Sequence, residues 1–291
     1  MDAALRAGRP VVALESSVIA QGLPIPANAE ALRRMTGAVV RGAAVPAIAA
    51  VVRGVPTFGL DDAELVRFLA REGVRKVAAR DLGLAIARGE DGATTVSGTL
   101  ALTALAGIPV FATGGIGGVH REPAFDESAD LTELARSSTI VVCAGAKAIL
   151  DLSATLERLD TLGVAVVGYQ TDDFPGFFTT TSGLRVPQRL DSATDIARAF
   201  RAHRALGRPG AMLVVRPLPA AAALDRPTVE AAIDAATVAA REANVRGSAV
   251  TPFLLAAVER ATQGRSLVAN LALLEHNAAL AAEIAVALTI P

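Results

Sequence analysis

VVALESSVIAQGLPIPANAEALRRMTGAVVRGAAVPAIAAVV, residues 11–52, reads as strand, helix, strand. Residues 11–14 form an apolar run short enough for a buried strand, 28–41 has helical spacing, and 45–52 returns to the strand pattern. A strand that reaches the next one through a helix is the repeating unit of a parallel sheet. The alternation continues downstream. Apolar runs at 108–113, 139–144, 164–169 and 211–216 are separated by helical stretches at 61–71, 94–106, 130–136, 146–162 and 191–206. From Thr228 onward the chain reads as helical, with breaks at Gly247 and at Gln263–Gly264. The expected fold is α/β, a three-layer α/β/α arrangement with a mostly parallel central sheet and a helical C-terminal part, in one domain over residues 1–291.

Of the 291 residues 52% are hydrophobic and 20% charged, and the net charge is −1, a globular composition. There is no basic excess to hold a nucleic-acid backbone, and aromatic residues for base stacking make up only 3%. Neither polymeric nucleic acid nor a membrane is expected as a partner. The one cysteine, Cys143, excludes an intramolecular disulfide. The first apolar stretch is interrupted by Glu15, unlike a signal peptide, and no uninterrupted apolar run reaches the roughly 18 residues of a membrane span. A cytoplasmic location is the expectation.

Among 28 basic residues only Lys76 and Lys147 are lysines; the rest are arginine. Where arginine serves for surface charge, a retained lysine marks work arginine cannot do, because lysine loses its proton when buried and arginine does not. Lys147 is also the only charged residue in SSTIVVCAGAKAIL (137–150). The pattern places it in the first turn of the helix after a strand, where the helix dipole and the apolar run would both favour a neutral, nucleophilic amine. Lys76 opens a short strand, KVAA, and suits a phosphate contact.

In open α/β sheets ligands bind beyond the carboxyl ends of the strands. The first strand ends in Glu15, which partial desolvation would suit to general-acid work. A later strand runs into Thr113-Gly114-Gly115-Ile116-Gly117-Gly118-Val119-His120. These glycines allow a close backbone approach or an anion nest, but His120 stands where a dinucleotide fingerprint needs its third glycine, and Arg121-Glu122-Pro123 opens no helix. A phosphate or sugar loop is the reading. Asp130 with Glu133 three residues later fits a helix capping box. That leaves Asp126 and Ser128 in the preceding loop, where one carboxylate with waters would suit Mg²⁺ or Mn²⁺. Asn270, a poor helix former inside a helix starting near Ser266, either reaches a ligand or faces solvent; His203 and His276 read as surface residues.

Taken in order, VALESSVIAQGLPIPAN, VPAIAAVVRGVPTFGL, GATTVSGTL, TGGIGGVHR, FDESADLTELA, AGAKAILD, TDDFPGFF, VTPFLL and SLVANLALLEHNA resemble the pseudouridine-5′-phosphate glycosidase family, also called indigoidine synthase A-like. The resemblance implies reversible cleavage of the carbon–carbon glycosidic bond of pseudouridine 5′-phosphate to uracil and ribose 5-phosphate. It also implies one manganese ion per subunit and a homotrimer. Carried over by position, Glu15 looks like the proton donor, Lys147 like the covalent nucleophile and Asp126 like the metal ligand. Ser128, Ala129 and Asp130 look like a substrate-binding tripeptide, with Lys76, Val96 and Asn270 as further contacts. Thr113 and His120, bracketing the glycine loop, are grouped with them. Gln21 stands where histidine is common, Ala79 replaces the first arginine of an RRDL-like run, and Ser17-Val18 replaces Thr-Ile. The rival readings are a Schiff-base aldolase on another sugar phosphate, an enzyme of indigoidine-type pigment biosynthesis, and a non-catalytic ribose-phosphate sensor.

Overall fold

The computed structural model describes residues 2–122 and 125–290. Ten strands form the main sheet: β1 (Val11–Glu15), β2 (Val45–Val52), β3 (Val55–Phe58), β4 (Val74–Val77), β5 (Asp91–Thr94), β6 (Val110–Ala112), β7 (Ile140–Cys143), β8 (Ala165–Tyr169), β9 (Gln188–Leu190) and β10 (Met212–Val215). Their order is β9-β8-β10-β7-β6-β1-β2-β5-β4, with β3 paired to β2. The helices are α1 (Asp2–Arg6), α2 (Ala27–Arg41), α3 (Asp62–Ala70), α4 (Leu82–Ala87), α5 (Val96–Ala106), α6 (Ala129–Arg136), α7 (Leu152–Thr161), α8 (Ala193–Ala205), α9 (Arg226–Glu242), α10 (Val250–Ala261) and α11 (Arg265–Thr289).

The six apolar runs read from sequence all became strands. Their residues are buried on both faces, which is why they carry no polar alternation. From β9 to β2 the pairing is parallel throughout. β3 and β5 were not foreseen, and both run antiparallel to β2.

This antiparallel edge shapes the site. β2 pairs with β1 over residues 45–49, with β5 at Ala50 and Val51, and with β3 from Ala49 to Val52. Ala49 meets both Glu15 and Phe58, and Ala50 meets both Thr57 and Ala93. β3 therefore occupies one edge of β2, while β1 and β5 lie end to end along the other. Their carboxyl ends, Glu15 and Thr94, meet head-on. The Ser16 hydroxyl staples the junction, donating to the Ala49 carbonyl at 2.6 Å and accepting the Thr94 N–H at 2.8 Å.

One cluster of buried side chains runs from Ala4 to Ala285, and two small ones surround the β2–β5–β4 edge. α11 packs against α2, α8, β1, β6 and β7. By length and composition α11 would suffice to cross a membrane, although Glu275, His276, Asn277 and Glu283 interrupt it; half of its most apolar window is buried inside the protein. Its apolarity serves the core.

Candidate active site

Glu15 ends β1 and is 7% exposed. The hydroxyls of Ser17 and Thr113 donate to its two carboxylate oxygens. Burial raises its pKa above the usual carboxylate range; Lys147 and the two hydroxyls oppose that rise, and Asp130 adds to it. Burial is the largest influence, so the carboxyl is poised to hold a proton. Thr113, grouped with the substrate contacts, is itself buried and turned toward Glu15 rather than into the cleft. Its place is behind the acid.

Lys147 does not start a helix. After β7 the chain passes through Gly145, at φ +84°, and Ala146 bridges Ile116. A Cβ on Gly145 would come within 2.7 Å of the Pro175 carbonyl, so only glycine fits that turn. The Lys147 N–H donates to the Ile116 carbonyl at 3.0 Å. α7 begins only at Leu152, capped by the Asp151 carboxylate on the Ala154 N–H. No helix dipole therefore acts on this lysine, which sits in a loop pinned to the glycine segment. Among the described residues the Lys147 ammonium has no hydrogen bond or ion pair, and it lines the cleft.

Asp130 is not a helix cap. Ser128 caps α6, its hydroxyl accepting the Asp130 N–H at 3.2 Å. Asp130, 5% exposed, instead accepts the Ser97 N–H at 2.9 Å and the Gly117 N–H at 2.8 Å. Its carboxylate thus ties the start of α5, where Val96 lies, to the glycine loop. A Cβ at Gly117 would stand 2.2 Å from the Ser128 hydroxyl oxygen, which explains that glycine.

Lys76 lies within β4, its side chain still touching water in the mouth of the cleft. The surrounding walls pull its pKa below the usual lysine value and Lys147 adds to this, while Glu15 and Asp130 resist. His120 is likewise pushed down by burial and Lys147, against the pull of Asp126. The His120 N–H donates to the Asp126 carbonyl at 2.9 Å, leaving the Asp126 carboxylate at the cleft. Pro123, cited in the reading of this segment, lies outside the described residues.

No group of three or more His, Cys, Asp or Glu side chains that could hold a metal stands together among the described residues. A protein cage is thus absent there. Asp126, whose carboxylate makes no hydrogen bond or ion pair among those residues, fits the looser mode, one carboxylate completed by waters or ligand, that Mg²⁺ and Mn²⁺ accept.

Glu15, Lys76, Val96, His120, Asp126, Ser128, Ala129, Asp130, Lys147 and Asn270 line one cleft of about 910 Å³, and Thr113 does not. Sequence reasoning missed Ser97, whose amide joins the Asp130 clamp, and Glu259, on α10. It also took His276 for a surface residue, whereas its Nδ1 is buried and burial lowers its pKa to about 4.

Comparison with known proteins agrees with this geometry. The family profile described as "Indigoidine synthase A like protein" matches residues 1–287. A pseudouridine-5′-phosphate glycosidase of Gemmatimonas aurantiaca is 65% identical over 98% of this chain and 93% of its own length. One from Herpetosiphon aurantiacus is 51% identical over 99% of this chain and 96% of its own. Among solved structures, the prealnumycin C-glycosynthase AlnA in complex with ribulose 5-phosphate superposes with a TM-score of 0.91 at 40% identity, covering 99% of this chain and 94% of that one. An indigoidine synthase A-like protein of Thermotoga maritima also gives 0.91, at 38% identity over 97% of this chain and 94% of that one. Matched by the family profile over residues 1–287 and by relatives along nearly its whole length, this protein is a member of the indigoidine synthase A-like family.

Proposed function

We propose that this enzyme cleaves the carbon–carbon glycosidic bond of pseudouridine 5′-phosphate reversibly, giving uracil and ribose 5-phosphate, through a covalent adduct on Lys147. The observation that carries the reading is the meeting, in one cleft, of a buried carboxyl whose pKa burial raises with an amine that has no partner among the described residues. Carbon is a poor leaving atom, and two carboxylates flanking the bond would not suffice. Opening the ribose ring changes the problem. Glu15 gives its proton to the ring oxygen as Lys147 Nζ, having shed a proton, bonds to C1′. The adduct nitrogen next returns a proton to the Glu15 carboxylate; its lone pair then forms the iminium as the bond to the base breaks with its electron pair on the uracil carbon, which takes up a proton from Glu15 or water. Water adds to C1′, Nζ leaves, and the sugar is released as the aldehyde.

Lys76 receives the phosphate, with Val96 at the start of α5, Ser128 and Ala129 beside it. Asp126 would hold a Mn²⁺ ion; when bound, that ion orders waters and substrate in the cleft. Asn270 and His120 contact the nucleotide. A homotrimer in the cytoplasm completes the reading, supported by family membership. The C-glycosynthase neighbour supports the reverse, bond-forming direction.

The test is incubation with pseudouridine 5′-phosphate and Mn²⁺ while following uracil release. With ribose 5-phosphate, borohydride should add the reduced sugar phosphate's mass to the peptide containing Lys147, and Lys147→Arg should abolish it. Label on Lys76, the other lysine, would overturn the assignment.

A further inference from the structure

The cleft has two walls of opposite character. Arg71, Arg75, Lys76 and Arg80 line it from β4 and its flanks. Facing the cleft from α10 are Thr251, Leu255 and Glu259, spaced four apart and so on one face of the helix, with Asn270 of α11 beside them. The other acidic side chains at the cleft have tasks. Glu15 holds hydroxyls, Asp130 holds amides, Asp81 accepts the Ala78 N–H, Glu127 pairs with Arg158 at 2.9 Å, and Asp126 faces the metal position. Glu259 alone is without one: half-buried, it makes no side-chain hydrogen bond or ion pair among the described residues.

A carboxylate repels a phosphate, so the phosphate belongs on the cationic wall and C1′ at Lys147 between the two. The base then lies toward α10 and α11. In pseudouridine the base is joined through carbon, so both ring nitrogens keep their hydrogens. In uridine one of them is the glycosidic atom and carries none. We propose that Glu259 is the specificity residue for the base, its carboxylate accepting the ring N–H that a carbon-linked uracil has and a nitrogen-linked one lacks. This deepens the proposed function and rests on it. A site built to accept an N–H discriminates against an analogue without it, because the acceptor is left unpaired on binding.

The test uses calorimetry on Lys147→Ala protein, expected to bind without turnover, with pseudouridine 5′-phosphate, uridine 5′-phosphate and ribose 5-phosphate as ligands. Adding Glu259→Ala should weaken the pseudouridine nucleotide by roughly tenfold or more, the scale of a hydrogen bond to a charged group. Binding of ribose 5-phosphate should hardly change and that of uridine 5′-phosphate should hold or tighten, so the preference collapses. Glu259→Gln, which keeps an acceptor oxygen and the shape, should retain part of it and covers misfolding of the alanine variant. An unchanged preference, or equal loss for all three ligands, overturns the role of Glu259 while leaving the function standing. Failure of Lys147→Ala to bind either nucleotide overturns both.

Discussion

The side-chain amide of Asn277 donates to the backbone carbonyl of Thr113 at 2.8 Å, while the Thr113 hydroxyl donates to Glu15. Asn277, 1% exposed in the middle of α11, thereby fixes the strand end that hydrogen-bonds the acid. The Thr113 bond lowers the Glu15 pKa against the rise from burial. Thr113→Val should therefore raise that pKa further. Because the acid works protonated, the alkaline limb of the kcat/KM profile should move to higher pH, with turnover down roughly tenfold or more. Asn277→Ala should shift the same limb in the same direction, and the double variant should show no further shift. A normal profile in a merely less stable Asn277→Ala protein would contradict the linkage.

The same burial predicts a stability effect of Glu15→Gln. A carboxyl whose folded pKa is raised contributes stability below its unfolded pKa and loses it as pH rises through the folded value. Glutamine carries no charge to desolvate. Tm should accordingly rise by roughly 2 °C or more at neutral pH, and the gain should vanish toward pH 4. Thermal scans at both pH values check this.

Asp126→Ala should abolish Mn²⁺ binding in titration calorimetry and remove most activity while the circular dichroism spectrum is preserved. Full activity in excess chelator would speak against the assignment of this loop carboxylate.

Gly117→Ala places a methyl 2.2 Å from the Ser128 hydroxyl oxygen and 2.8 Å from Asp130 Oδ2. Backbone or clamp must move, so ribose 5-phosphate affinity should fall by roughly tenfold, the scale of one lost charged hydrogen bond. Binding at the wild-type level would show that the clamp does not serve the phosphate end.

His276 titrates near 4 through burial, helped by Arg216 and opposed by the Pro217 backbone. The unfolded chain takes up this proton near pH 6.5, before the folded one does. Stability should drain away as pH falls from about 6.5 to about 4. His276→Gln should flatten that part of a denaturation series measured across pH.

How far these features were legible differs by residue. The central strands carry unbroken apolar runs, which burial on both faces requires, so β1, β2, β6, β7, β8 and β10 were readable. β5 is Asp91-Gly92-Ala93-Thr94, too polar and short to stand out, and its direction depends on pairing with a strand 40 residues away. Glu15 and the two lysines were readable because each is the odd residue in its surroundings. The position of Lys147 in a loop was not, since Ala-Gly-Ala-Lys-Ala-Ile-Leu suits a helix until Gly145 turns left-handed. Asp130 followed a local capping pattern, and only tertiary contact sent its carboxylate to amides 13 and 33 positions away. Glu259 had no local signal at all.

The head-on meeting of β1 and β5 along one edge of β2 makes the cleft a seam. On one side lies the large core; on the other, β4 and β5 rest on two satellite clusters of their own, one around Val77, Leu82 and Leu102, the other around Phe68 and Ala93. Such a flap is a natural unit of partial opening, detaching at less cost than the whole molecule. If it lifted, most helices would remain and Glu15 and Lys147 would keep their chain positions, yet Lys76 would be gone. Phosphate occupancy spans both sides of the join. Ligand should therefore slow amide exchange in the flap far more than in the large core, so that the substrate fastens together the site that receives it.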